Sequence, residues 1–299
     1  MSSSAERKIS ADDERPGLLR VAMAQIAPVL GDLPRNLTLH VEQIEVARRQ
    51  HADLIIFPEL SLTGYFLRDM VPDLAISLAG PEIRQLIEAA GAMSLVAGFV
   101  EESPRRRFYN AALWAEGGRV VHVHRKVYLP TYGLFDEQRY FAAGERFLAF
   151  DTARFGRVGI LICEDFWHLS AATIMQAEEV DLLVCTANSP ARGVDGPKVH
   201  TAETYEQLAT AFAQLLGAAV IVVNRVGFED GLCFWGGSMA LGPDGRIVAQ
   251  AAMFDEALCV AAFDPAELRR QRLITPLGRD ERLLVTIEEL NRIKRRRYE

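Results

Sequence analysis

Three residues of this chain have the types and settings for covalent chemistry at a carbonyl: Glu59, Lys126 and Cys163. Cys163 closes the run Val158-Gly159-Ile160-Leu161-Ile162, and two acids and two aromatics, Glu164, Asp165, Phe166 and Trp167, follow at once. A structural cysteine more often lies inside an apolar run; one at its end is placed for reaction, through its thiolate. Glu59 follows Leu54-Ile55-Ile56-Phe57-Pro58, and Lys126 follows Val120-Val121-His122-Val123-His124-Arg125. Together the three supply a base, a cation and a nucleophile. Such a trio suits acyl transfer from nitrogen. The carboxylate takes the thiol proton and later returns it to leaving ammonia. The cation and the backbone N–H after the nucleophile stabilise the oxyanion, and water hydrolyses the thioester. Taken singly, each residue has a plainer explanation as a surface charge or a core thiol.

In all three segments an apolar strand must deliver the polar residue at its C-terminal end, where binding and catalytic groups gather in α/β folds. Further strand-like runs are Leu19–Ile26, Leu95–Val100, Ala111–Glu116, Leu182–Thr186, Val220–Asn224, Ser238–Leu241, Ile247–Gln250 and Leu258–Phe263. Between them lie helical patterns. Over Asn36–Gln50, Leu37, Val41, Ile44 and Ala47 share one face. Pro81–Gly91, Leu169–Glu179, Pro197–Gly217 and Pro265–Leu273 are the others, three of them opening on proline. Gly117-Gly118 and Gly242-Pro243-Asp244-Gly245 stand at hairpin distance between strands. No linker, low-complexity tract or internal repeat divides residues 17–275, so one α/β domain of sheets covered by helices is expected. Residues 1–16 are polar and charged without an apolar core, which predicts a disordered tail and not a signal peptide. Residues 276–299 form a charged extension with a helix over Thr286–Arg297.

The bulk numbers narrow the class. A formal net charge of −7 over 299 residues argues against a partner held through nucleic-acid phosphates. The basic run Arg292–Arg297 is expected to be a solvated helix face. No apolar stretch reaches the length of a membrane span. The four cysteines form no C-x-x-C pair, so neither a disulfide framework nor a zinc site is expected, and a reducing, cytoplasmic setting follows. Cys185, Cys233 and Cys259 are expected in the core. His122 and His124 share a strand face, where packing or hydrogen bonding is a better explanation than a metal site lacking a third ligand. Asp165 is expected to cap the helix that follows it.

The motifs Phe57-Pro58-Glu59-Leu60-Ser61-Leu62-Thr63-Gly64-Tyr65, His124-Arg125-Lys126-Val127-Tyr128-Leu129-Pro130 and Gly159-Ile160-Leu161-Ile162-Cys163-Glu164-Asp165 stand in one order along the chain. They resemble the nitrilase, or carbon–nitrogen hydrolase, superfamily over about residues 18–265. The resemblance implies an α/β fold, a four-layer α-β-β-α sandwich that pairs into a homodimer or higher homo-oligomer. It also implies a cofactor-free Glu-Lys-Cys site with Cys163 as nucleophile, Glu59 as base, Lys126 at the oxyanion and Glu137 as a second acid/base. Leu62–Tyr65, Tyr132–Glu137, Cys163–Trp167, Asn188-Ser189-Pro190 and Val223–Gly227 look like the glutaminase domain of glutamine-dependent NAD synthetases. By that likeness Glu164 and Ser189 would grip a substrate's amino-acid head and Tyr132 would line its slot. Trp167 is a further candidate for the pocket wall. A basic residue is expected soon after Ser189, and Arg192 is the one nearby. No Ser-Gly-Gly-x-Asp-Ser pyrophosphate loop occurs, so NAD synthesis is not expected of this chain alone. The expected function is hydrolysis of a small linear amide with release of ammonia. The alternatives are a glutaminase subunit feeding a separate synthetase, and a nitrile or N-carbamoyl hydrolase.

Overall fold

Short runs of β-branched residues between polar turns dictate strands whose side chains alternate between two faces. A computed structural model describes residues 17–196 and 198–298; the tail expected over residues 1–16, and Pro197, lie outside the described residues. One six-stranded sheet contains β1 (Leu19–Gln25), β2 (Leu54–Ile56), β3 (Ser94–Glu102), β4 (Phe108–Glu116), β5 (Arg119–Arg125) and β16 (Ala257–Phe263), in the order β16-β1-β2-β3-β4-β5. The second contains β6 (Phe150–Asp151), β7 (Arg157–Ile162), β8 (Leu182–Ala187), β11 (Ala219–Asn224), β14 (Met239–Leu241) and β15 (Ile247–Gln250), in the order β15-β14-β11-β8-β7-β6. Two ribbons join them: β9 (Val194–Asp195) with β10 (Lys198–Val199), and β12 (Val226–Glu229) with β13 (Leu232–Trp235). The helices are α1 (Leu33–Arg49), α2 (Val71–Leu74), α3 (Pro81–Ala90), α4 (Leu169–Ala177), α5 (His200–Leu216), α6 (Pro265–Ile274), α7 (Leu277–Asp280) and α8 (Leu283–Tyr298).

The sheets share a plan that no sequence repeat announces. Each has three parallel central strands, β1-β2-β3 or β7-β8-β11, linked by helical crossovers. Each then continues through antiparallel strands, β4-β5 or β14-β15. Helix and strand periodicity recur in the two halves while the residues filling them do not. Period two then sorts the first sheet's side chains. Val21, Met23, Leu54, Ile56, Val96 and Trp114 share a core with the second sheet. Their neighbours Ala22, Ala24, Ile55, Leu95 and Ala97 pack with Leu37 and Ile44 of α1 and Ile83 and Leu86 of α3. On the far side, Ala171 and Met175 of α4 and Ala209, Phe212 and Ala213 of α5 cover the second sheet. The result is a helix–sheet–sheet–helix sandwich.

Two expectations need correction. Cys185 is buried, but Cys233 and Cys259 are only half-buried, because β13 belongs to a two-stranded ribbon and β16 is an edge strand. The ribbon β12–β13 was also unforeseen, since its Gly-interrupted sequence hides the alternation. Among the described residues, no helix is long and apolar enough to cross a membrane.

Candidate active site

The two sheets bring their strand ends to one place. β2 ends at Ile56, and Phe57-Pro58 carries the chain to Glu59, which is 1 % exposed. This turn crosses β3 so closely that a Cβ on Gly98 would overlap the Pro58 carbonyl oxygen and the Leu60 nitrogen. Leu60 takes a left-handed φ of 44° there. Glu59 is held from several directions. Asn110 of β4 donates to Oε1 at 2.7 Å, and the backbone N–H of Asn188, just past β8, donates to Oε2 at 2.8 Å. The Asn188 side chain also donates to the Glu59 carbonyl oxygen at 2.8 Å.

Lys126 directly follows β5 and is fully buried. Its Nζ donates to Glu59 Oε1 at 2.8 Å and to Glu137 Oε1 at 2.6 Å. Burial pulls the Lys126 pKa down, but Glu137, Glu59 and Cys163 outweigh it and push it well up. An ammonium has three donors, so one N–H remains for a further acceptor. Glu137 also receives the Tyr65 hydroxyl at 2.5 Å, while its Oε2 is buried without a partner. Burial raises the Glu137 pKa to about 7; Lys126 opposes the rise and Glu59 reinforces it.

Cys163 directly follows β7 and opens a one-turn 3₁₀ helix, Cys163–Trp167. Its φ is 46°, a left-handed conformation that a side chain makes strained. Burial pushes the thiol pKa up, Glu59 adds to the rise, and Lys126 and a hydrogen bond from Tyr205 pull it back. That bond runs from the Tyr205 hydroxyl on α5 to Sγ at 3.4 Å. Both burial and Glu59 thus favour the protonated sulfur, for which a base at the moment of attack is suited.

Asp165 does something other than the capping expected of it. The helix α4 has His168 as its N-cap residue and no side-chain cap. Asp165 is fully buried and accepts from His124 at 2.8 Å, from the Val127 and Tyr128 N–H groups at 3.0 and 2.9 Å, and from Ile162 N–H at 3.2 Å. It clips the segment after Lys126 onto the turn bearing Cys163. His122 instead stacks on Phe150 with ring centroids 4.3 Å apart. Among the described residues, no group of three or more His, Cys, Asp or Glu side chains is arranged to hold a metal ion.

Of the remaining candidates, Tyr132 and Trp167 are exposed and Ser189 is buried. The Tyr132 hydroxyl donates to both carboxylate oxygens of Glu164 at 3.0 Å. Arg192 packs over the Phe135 ring at 5.8 Å and bears electrostatically on Tyr132. Trp167 is half exposed, with its ring edge-on to Tyr205 at 5.4 Å. Ser189 is buried and fixed by its backbone, donating to Asn224 Oδ1 at 2.8 Å. The structure thus gathers Glu59, Lys126, Glu137 and Cys163 in one group and Tyr132 with Glu164 in another. Asn110, Tyr65 and Tyr205 escaped sequence reasoning. Asn110 lies within β4, Tyr205 within α5 and Tyr65 in the irregular segment beyond Glu59, and no local pattern marks them.

Residues 20–273 match the family model described as carbon–nitrogen hydrolase. A glutamine-dependent NAD(+) synthetase of Acinetobacter baylyi is 33% identical over 257 residues, 86% of this chain and 46% of the relative. The chain therefore spans about half the length of the curated relatives it matches. Among solved structures, a glutamine-dependent NAD+ synthetase of Acinetobacter baumannii in complex with ADP superposes with a TM-score of 0.75 at 33% identity, over 84% of this chain and 46% of that one. A CN-hydrolase superfamily protein of Xanthomonas campestris shares the fold with a TM-score of 0.78 at 21% identity, over 89% of this chain and 97% of that one.

Proposed function

The chain belongs to the carbon–nitrogen hydrolase family, and from that premise we propose that it hydrolyses the carboxamide of a small linear substrate through a thioester on Cys163, releasing ammonia. The observation that carries this reading is the buried Glu59–Lys126–Glu137 cluster beside a thiol in strained backbone at a strand end. Glu59 takes the thiol proton as Sγ bonds to the amide carbon. The remaining N–H of Lys126 and the backbone N–H of Glu164 receive the oxyanion. The tetrahedral intermediate collapses, the C–N bond breaks, and Glu59 gives its proton to the leaving nitrogen. Water, deprotonated by the same carboxylate, then cleaves the thioester to a carboxylic acid and the free thiol. Glu137 holds Lys126 in line and shares in the proton traffic.

The mouth supports an amide that carries an amino acid's charges. Glu164, held by Tyr132, suits an ammonium, and Arg192 on the same rim suits a carboxylate. These opposite charges, with the likeness to glutamine-dependent synthetases, favour a second reading: a glutaminase that supplies ammonia to a separate synthetase. Nitrile or N-carbamoyl hydrolysis would use the same cluster. Ammonia release across glutamine, simple aliphatic amides, nitriles and N-carbamoyl compounds tests the reading. Amides carrying an α-amino group should give the highest kcat/KM. Glu164→Gln should raise KM for them more than for aliphatic amides. Turnover of nitriles alone would overturn the amidase reading, and equal KM changes would overturn the role of Glu164.

A further inference from the structure

Away from this site, a cleft of about 540 Å³ opens along the free edge of β5. Its size falls within the range of about 300–1,000 Å³ typical of small-molecule sites. Its walls carry four guanidiniums, on Arg105, Arg107, Arg125 and Arg146, against the carboxylates of Glu101 and Glu145. That excess of positive charge stands out in a chain of net charge −7. Glu101 is already engaged: it is buried and grips Arg125 through two bonds of 2.6 Å. The same guanidinium lies 4.2 Å over the Tyr109 ring, so its orientation is fixed from two sides. The side chains of Arg105, Arg107 and Arg146 form no ion pair among the described residues and stand exposed around the cleft. Leu78, Pro104, Val123 and Leu148 supply apolar wall between them.

We propose that this cleft binds a small polyphosphate-bearing anion, with Arg107 and Arg146 as forks for the phosphate oxygens and Arg125 as the fixed cation behind them. Several forks around one space suit a ligand with several anionic oxygens better than a single carboxylate, because each guanidinium can meet two oxygens at once. The cleft also adjoins the segment that sets the catalytic cation. Arg125 directly precedes Lys126, and Gly144, on the cleft wall, donates its N–H to the Lys126 carbonyl oxygen at 2.7 Å. Gly144 lies so close that a Cβ there would overlap the Arg125 carbonyl oxygen. A ligand held here therefore rests against the reverse side of the backbone that places Lys126.

Equilibrium dialysis of the full chain against orthophosphate, pyrophosphate and ATP tests the proposal, with binding and not turnover as the readout. Its failure is thus separable from failure of the hydrolase reading. Pyrophosphate should bind saturably at one equivalent per chain, more tightly than orthophosphate, and more weakly as chloride rises. ATP binding more tightly than pyrophosphate would mean that the apolar wall holds an organic part; equal affinities would mark free polyphosphate as the ligand. The double variant Arg107→Ala/Arg146→Ala should lose about tenfold or more, as expected when two charge-assisted contacts go. A second measurement needs no variant. Pyrophosphate should shield Arg107 and Arg146 of the wild-type chain from phenylglyoxal, as mapped by peptide mass spectrometry, while Arg35 and Arg246 react unchanged. The absence of saturable pyrophosphate binding, unchanged affinity in the double variant, or shielding spread equally over Arg35 and Arg246 would overturn it.

Discussion

Cys163 sits in left-handed backbone, with its thiol pKa pushed up by burial, so proton removal and attack must be coupled. In the proposed reaction Glu59 couples them, and Glu137 tunes the cation between. The raised pKa of Glu137 has a thermodynamic consequence with a definite sign. The folded chain holds this proton up to a pH of about 7, whereas an ordinary glutamate releases it near 4.5. The folded state then binds more protons than the unfolded one between these values, so this group's contribution to stability falls as pH rises through that window. Glu137→Gln cannot lose a proton. Its melting temperature relative to wild type should therefore climb between pH 5 and 7; a constant difference would contradict the assignment. At this scale Glu59, Lys126 and Cys163 were legible because each ends an apolar run. Asn110 and Tyr205 were not, because a polar group buried within an apolar element leaves no local pattern. Their partners, Glu59 and Sγ, come from far along the chain.

The elements act by where they stop. β2, β5 and β7 all end at the same edge of the sandwich, and the turns beyond them are fixed by close backbone contact and by Asp165. Gly98 in β3 makes one of these contacts, since any side chain there would meet the turn that carries Glu59. Gly98→Ala should shift that carboxylate and lower kcat/KM by about a hundredfold, the scale on which a displacement near 1 Å is felt. Steady-state kinetics checks this, and wild-type kinetics in the variant would contradict it. The strands and their hairpins could be read from periodicity and paired glycines: Gly117 and Gly118, with φ of 58° and 77°, turn β4 into β5. The role of Asp165 could not, because its acceptors face a segment nearly forty residues earlier in the chain.

Across the whole molecule the site exists only because two similarly built halves meet. Asn188 from the second sheet holds Glu59 of the first, and the Arg225–Glu229 pair performs the reciprocal task. Glu229 accepts the backbone N–H groups of Tyr65 and Phe66 at 2.8 Å each, while Arg225 donates to Pro28 and lies over Phe234. Tyr65 in turn reaches Glu137. Glu229→Gln keeps an acceptor for the backbone but leaves the buried guanidinium unpaired, which costs about 3–5 kcal/mol. Denaturant titration should show that loss; an unchanged midpoint would contradict the brace. Sheets covered by helices were legible from the alternating strands and helices, and the four-layer sandwich only through the family resemblance; the doubled topology was not, since it repeats connections and not residues. The central claim, a thioester on Cys163, is tested most directly by acid-quenching the enzyme during turnover of its best amide and measuring the intact mass. The account predicts a mass increase equal to the acyl group, mapped to Cys163 and absent in Cys163→Ala, which should release no ammonia. Undiminished ammonia release by Cys163→Ala, with no acyl mass on the wild type, would contradict it.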